Sequence, residues 1–186
     1  MTRRTEANCS DFSGRARPGA GGWPRLGKIA PVAKRSAALL VYRLSAEDGL
    51  EVLVAHMGGP FWARRDAGGW SIPKGECEGG EDPLATARRE FTEEMGAPPP
   101  DGAPAYLGEW RQPSGKIIIG YAVQGDFDLS GFRSNTFTLE WPRGSGVVQE
   151  FPEMDRAEWM TVERAATKLV KGQLPILAAL QQHLPG

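Results

Sequence analysis

Three glutamates, Glu90, Glu93 and Glu94, crowd into a single stretch of the segment Gly75–Ala97, GECEGGEDPLATARREFTEEMGA. Placed on a helix at about 100° per residue, they share one face roughly 100° wide, all within about one turn. Leu84, Ala87, Phe91 and Met95 fall on another, narrow stripe, which is the face such a helix buries. The arrangement works against stability. Glu90 and Glu94 are like charges at i,i+4 spacing, and acids near a helix C-terminus oppose its dipole. Arg89 can offset part of this by reaching Glu93 one turn on. The segment holds seven acidic and two basic residues. A solvated acidic face is the plain explanation of most charge runs. Gathered carboxylate oxygens are equally the ligands that a hard cation such as Mg²⁺ takes, and Mg²⁺ bridges phosphate oxygens.

Other chemistries are poorly supplied. Only His56 and His183, Cys9 and Cys77 are present. That is too few for a histidine-rich metal site, a four-thiolate zinc site or a disulfide framework. No Ser-His-Asp set is apparent in the sequence, and both histidines read as surplus. Among the cations, Lys74 immediately precedes the acidic segment and can reach a phosphate as a point charge. Arg64 and Arg65 can clamp phosphates bidentately. For all three, an exposed surface role is the plain alternative. Trp62, Trp110 or Trp141 can stack a base, although packing is the commoner use of each.

The elements that must hold these residues can be read in outline. Ala37–Arg43 and Glu51–His56 read as strands joined by the turn Ser45–Gly49. Gly58–Gly69 reads as a long loop carrying Phe61, Trp62, Arg64 and Arg65, and Trp70–Ile72 as a short strand ended by Pro73. Asp82-Pro83 is a strong helix start, and Gly96 with Pro98–Pro100 a strong stop near Met95. Ala105–Gln112 and Lys116–Gln124 read as a strand pair around Ser114-Gly115. Residues 125–156 read as loop-rich, with Gly and Pro throughout. Ala157–Met160 reads as a last strand, and Val162–Val170 and Pro175–His183 as closing helices.

The chain has 186 residues and a net charge of −1. Residues 1–33 carry +4 and residues 34–186 carry −5. The first segment is rich in Gly and Pro and lacks apolar periodicity, so it is expected to be a disordered basic tail. The acidic remainder makes a poor general binder of nucleic acid, and no stable nucleic-acid partner is expected. The longest apolar run, Ala37–Tyr42, is far short of a membrane span. Sparse cysteines fit a reduced, cytoplasmic setting.

The segment Gly75–Ala97 resembles the signature of the Nudix hydrolases. Gly75, Glu81, Arg89-Glu90, Phe91, Glu93-Glu94, Gly96 and Ala97 stand at its fixed spacings, with Ala97 smaller than the residue usual there. The resemblance implies an α+β domain over 34–186, a mixed β-sheet sandwiched between helices. It implies hydrolysis of a pyrophosphate bond in a nucleoside diphosphate derivative with Mg²⁺ or Mn²⁺. By the same resemblance Glu90, Glu93, Glu94 and the Gly75 carbonyl are metal ligands, Arg89 orients the carboxylates and Glu81 braces the loop. One further carboxylate is expected outside the motif, Glu153 or alternatively Glu150. Lys116 and Tyr121 fall on a strand that often lines the substrate cleft in relatives. The lead-in Ile72-Pro73-Lys74-Gly75-Glu76 resembles that of diadenosine and diphosphoinositol polyphosphate hydrolases more than that of NADH or coenzyme A enzymes, which implies a nucleoside or dinucleoside polyphosphate as substrate. An ADP-ribose-type pyrophosphatase and a non-catalytic nucleotide sensor are the alternatives. The expected partner is a small nucleotide, and the expected state a monomer or homodimer.

Overall fold

The computed structural model describes residues 33–184. Apart from Ala33, the expected disordered tail of residues 1–33 lies outside the described residues.

Two long apolar strands form the centre. β1 (Arg35–Ser45) and β2 (Gly49–Met57) make the expected antiparallel hairpin, with Ser45 opposite Gly49. Nearly every residue from Ser36 to Tyr42 and from Glu51 to His56 is buried. That is how strands covered on both faces read. β3 (Trp70–Ser71) extends the sheet beyond β2. β4 (Lys74–Glu76) pairs antiparallel with the start of β1, Ala38 opposite Lys74. β5 (Ala105–Arg111) and β6 (Ile117–Gln124) form the second expected pair. β6 runs parallel to β1, which makes the sheet mixed.

α1 (Pro83–Met95) begins and ends where the sequence places it. Asp82 accepts a hydrogen bond from the Ala85 N–H at 3.0 Å, and Gly96 takes the left-handed conformation with φ 83°. This helix packs on one sheet face through Ala87, Phe91 and Met95 against Leu39, Val41 and Leu53. α2 (Val162–Lys168) and α3 (Leu174–His183) cover the other face, around Leu40, Val54, Trp70, Ile176 and Leu180. The sheet is therefore sandwiched between helices, as expected. Trp110, partly buried, packs against this second core.

The segment 125–156 departs from the expected loop. It holds a short 3-10 turn at Leu129–Gly131 and a separate two-stranded ribbon, β7 (Thr136–Glu140) with β8 (Val148–Pro152). Both ribbon strands are mostly exposed, so they lack the apolar signal that marks a core strand. The last strand, β9 (Met154–Thr161), starts three residues earlier than expected and pairs with β2. β4 is a further strand that the sequence does not announce. Its Lys-Gly-Glu composition carries no strand propensity, and its pairing with β1 is what defines it.

Candidate active site

The carboxylates are placed by α1 and by the turn between β8 and β9. Glu90 is held against the backbone of Gly75 on β4. A Cβ at Gly75 would lie 1.7 Å from the Glu90 Cδ, so only glycine admits this approach. Glu94 is buried, 7% exposed, and its Oε2 accepts from the Lys74 N–H at 3.2 Å. Glu93 is partly exposed. Arg89 gathers three partners. Its guanidinium donates to Glu81 through two nitrogens at 3.3 Å each, to Glu90 at 2.8 Å and to Glu93 at 3.2 Å. It thus ties the loop before the helix to the helix face.

Burial pushes the Glu94 carboxyl up to about 7, with Lys74 opposing and the charges of Glu90 and Glu153 adding to the rise. Glu90 is also raised, first by burial and then, against the pull of Arg89, by Glu93 and Glu153. The Arg89 hydrogen bonds hold the Glu81 carboxyl below its ordinary value. Glu153 belongs to a different part of the chain, yet its charge acts on both Glu90 and Glu94. Its backbone is fastened on two sides. The Glu153 N–H donates to the Asn135 carbonyl at 2.8 Å, and its own carbonyl accepts from the Gly58 N–H at 2.8 Å. The Asn135 N–H in turn donates to the Glu93 carbonyl at 3.2 Å. Glu150 instead accepts from the Thr136 hydroxyl within the ribbon.

Among the described residues, no three His, Cys, Asp or Glu side chains are gathered closely enough to form a ready ion cage. Glu90 and Glu93 are turned onto Arg89. The donor chemistry nevertheless fits a hard divalent cation: carboxylate oxygens on one helix face, with Glu90 held against the backbone of Gly75.

The remaining candidates divide. Lys74 lies at the cluster, close enough for its charge to act on Glu94. Arg64 and Arg65 are exposed on the loop after β2, with the Arg65 guanidinium 5.4 Å from the Trp62 ring centroid. Lys116 is paired with Glu76 at 3.2 Å, and Glu76 also meets Lys34. Tyr121 stands edge-to-face with Tyr106 at 5.8 Å and packs beside Cys77 on the α1 side. Burial raises its hydroxyl above the ordinary value. Trp141, on the turn after β7, meets Phe61 edge-to-face at 5.3 Å.

His56 is the residue that sequence reasoning passes over. It is fully buried, with Nδ1 2.7 Å from Asp155 Oδ1 and Nε2 2.8 Å from the Arg65 carbonyl oxygen. The available signal is a lone polar residue in the apolar run Val52–Met57. Its partner lies 99 residues away, beyond any local pattern.

A family model described as NUDIX domain matches residues 34–180. The NUDIX domain of Shewanella oneidensis NrtR complexed with ADP ribose is similar in structure, with TM-score 0.56 and 14% identity over 83% of this chain and 90% of that one. A mutT/nudix family protein from Listeria innocua gives TM-score 0.55 and 15% identity over 81% and 92%. A C. elegans Ap4A hydrolase in a binary complex gives TM-score 0.52 and 18% identity over 80% and 96%. At such identities the likeness is one of fold. No curated protein matches the chain. Among the described residues, no helix is long and apolar enough to cross a membrane.

Proposed function

The chain belongs to the NUDIX domain family and is a Nudix-type pyrophosphohydrolase; from that premise we propose that it cleaves a nucleoside or dinucleoside polyphosphate with Mg²⁺ or Mn²⁺. The observation that carries the reading is the set of carboxylates on one face of α1, with Glu90 and Glu93 held on Arg89, Glu90 set against the backbone of Gly75, and Glu94 buried against the Lys74 N–H.

Glu90, Glu93, Glu94, Glu153 and the Gly75 carbonyl would hold the cation. When bound, it supplies charge neutralisation on the pyrophosphate oxygens and makes a water easier to deprotonate. The chain's own residues do the rest. Arg89 keeps Glu90 and Glu93 side by side and splits their repulsion. Glu90 or Glu93 then accepts the proton of the attacking water as general base. Lys74, Arg64 and Arg65 place positive charge where phosphate oxygens arrive, which fixes the substrate for in-line attack. Phe61, 63% exposed, offers with Trp141 a ring face on which a base can stack. Tyr121 on β6, and Lys116 just before that strand, would line the substrate cleft.

The motif carboxylates are all present, which favours an enzyme over a nucleotide sensor. The Ile72–Glu76 lead-in favours polyphosphates over ADP-ribose. The test is product release from ATP, a dinucleoside polyphosphate, ADP-ribose and capped RNA, with Mg²⁺, with Mn²⁺ and in excess EDTA. Cation-dependent cleavage of the polyphosphates is expected. Full turnover in EDTA would overturn the cation role, and exclusive cleavage of ADP-ribose would overturn the substrate.

A further inference from the structure

His56 sits in a strand whose neighbours Val52, Leu53, Val54 and Ala55 are all apolar and buried. A buried polar side chain must find partners, and this one finds two that lead in opposite directions. On β9, His56 pairs with Arg156 and Met57 with Met154, so Asp155 is an extra residue in the ladder. Such a bulge bends a strand and re-aims what precedes it. The Asp155 carboxylate turns onto His56 Nδ1. Two residues earlier stands Glu153. The second partner is the Arg65 carbonyl, in the loop that carries Arg64. Gly69 closes that loop over the same ring: a Cβ there would lie 2.0 Å from the Arg65 oxygen and 3.2 Å from His56 Nε2. Trp70 packs edge-to-face on the imidazole at 5.2 Å, which leaves the ring one orientation.

We infer that His56 is a positioning residue for the proposed active site, holding through Asp155 the β9 bulge that leads into Glu153, and through Arg65 the loop that presents Arg64 and Arg65. The inference rests on the reading of that site given above. The His56–Asp155 pair is no catalytic relay, because Nε2 faces a backbone carbonyl and no nucleophile. A role confined to fold stability makes a different forecast: melting temperature falls, while cation affinity and KM stay put.

Asp155 is the place to test it. Its side chain is 30% exposed, so it tolerates change, whereas His56→Ala would leave a void in the core. Asp155→Asn keeps a group that can bond to Nδ1, as acceptor through its oxygen or as donor through its amide, and removes the charge. Asp155→Ala removes both. Three measurements are made on wild type and both variants: Mn²⁺ binding by electron paramagnetic resonance, tryptic cleavage after Arg64 and Arg65 without metal, and steady-state kinetics. For Asp155→Ala the loss of one hydrogen bond should weaken Mn²⁺ binding and speed cleavage about fivefold each, with KM rising by a similar factor. Asp155→Asn should stay within about twofold of wild type on all three. The inference is overturned if Asp155→Ala matches wild type, or if Asp155→Asn is as impaired as Asp155→Ala, since charge rather than the bond would then matter. Failure of the wild type itself to bind Mn²⁺ and hydrolyse overturns the functional reading instead; faster cleavage of Asp155→Ala at an unchanged melting temperature then still supports the hold of His56 on the loop, and faster cleavage that only follows a lower melting temperature overturns it.

Discussion

Replacing Glu94 by glutamine separates what this carboxylate does for the fold from what it does for the chemistry. Seen as a surface charge, Glu94 would cost the helix about 0.2–0.5 kcal/mol through repulsion with Glu90. The structure makes burial the larger effect, since Glu94 is 7% exposed and its carboxyl is pushed up to about 7. A rise from 4.5 to about 7 corresponds, at about 1.4 kcal/mol per pKa unit, to about 3 kcal/mol of stability. The folded pKa lies above the unfolded one. The neutral carboxyl is therefore favoured in the fold, its contribution is complete below about pH 4.5, and it is lost as pH rises through about 7. A glutamine amide stays neutral throughout and can still accept from the Lys74 N–H. Metal-free Glu94→Gln should melt close to wild type at about pH 5. At about pH 8.5 it should melt higher, by roughly 6–12 °C at about 2–4 °C per kcal/mol for a domain of this size. With Mg²⁺, kcat should fall by about 10²-fold or more, at least about 2.7 kcal/mol in the barrier. The assay is thermal unfolding in EDTA from about pH 5 to about pH 9, spanning the titration, beside steady-state turnover. The exposed Glu78→Gln serves as control. A melting difference that does not change with pH would refute the burial argument, and near-wild-type turnover would remove Glu94 from the site.

Gly75→Ala places a methyl group where the Glu90 carboxylate stands. It should lower kcat by about 10²-fold and weaken Mn²⁺ binding; an unchanged Mn²⁺ titration would contradict the cradle. Gln173, 1% exposed, accepts from the Ile72 N–H at 2.7 Å and donates to the Ser71 hydroxyl at 2.9 Å. Gln173→Leu leaves the buried Ile72 N–H unpaired and the Ser71 hydroxyl with only its bond to the Ile72 carbonyl, and should cost about 1–3 kcal/mol, read as a lower denaturant midpoint with kcat preserved. Deletion of residues 1–32, which lack a core-forming pattern, should leave melting temperature and turnover unchanged. A large loss of either would show that the segment contributes to the domain.

Residues close in the chain were legible from the sequence because helix and turn geometry is local. Asp82, Pro83 and Gly96 state where α1 starts and stops, and the spacing of Ala87, Phe91 and Met95 states which face it buries. The same periodicity puts Glu90, Glu93 and Glu94 together without knowledge of anything else. The two hairpins around Gly49 and Ser114-Gly115 followed from turn chemistry between apolar runs. The ribbon β7–β8 was not legible, since its exposed strands bury too little to need an apolar pattern.

What the sequence determined by itself was thus the carboxylate-bearing helix, its caps and its motif. Only the tertiary structure decided three things. It buried Glu94 beneath Lys74 and left Glu93 partly exposed, although both lie on one helix face. It tied the backbone of Glu153, through Asn135, to the Glu93 carbonyl on α1, and turned the Glu150 side chain onto Thr136 within the ribbon. It joined His56 to Asp155 across 99 positions. Helical spacing repeats every few residues and needs no partner to define it. Burial and long-range pairing depend on which strand lies beside which, and that order is settled by the packing of the whole sheet.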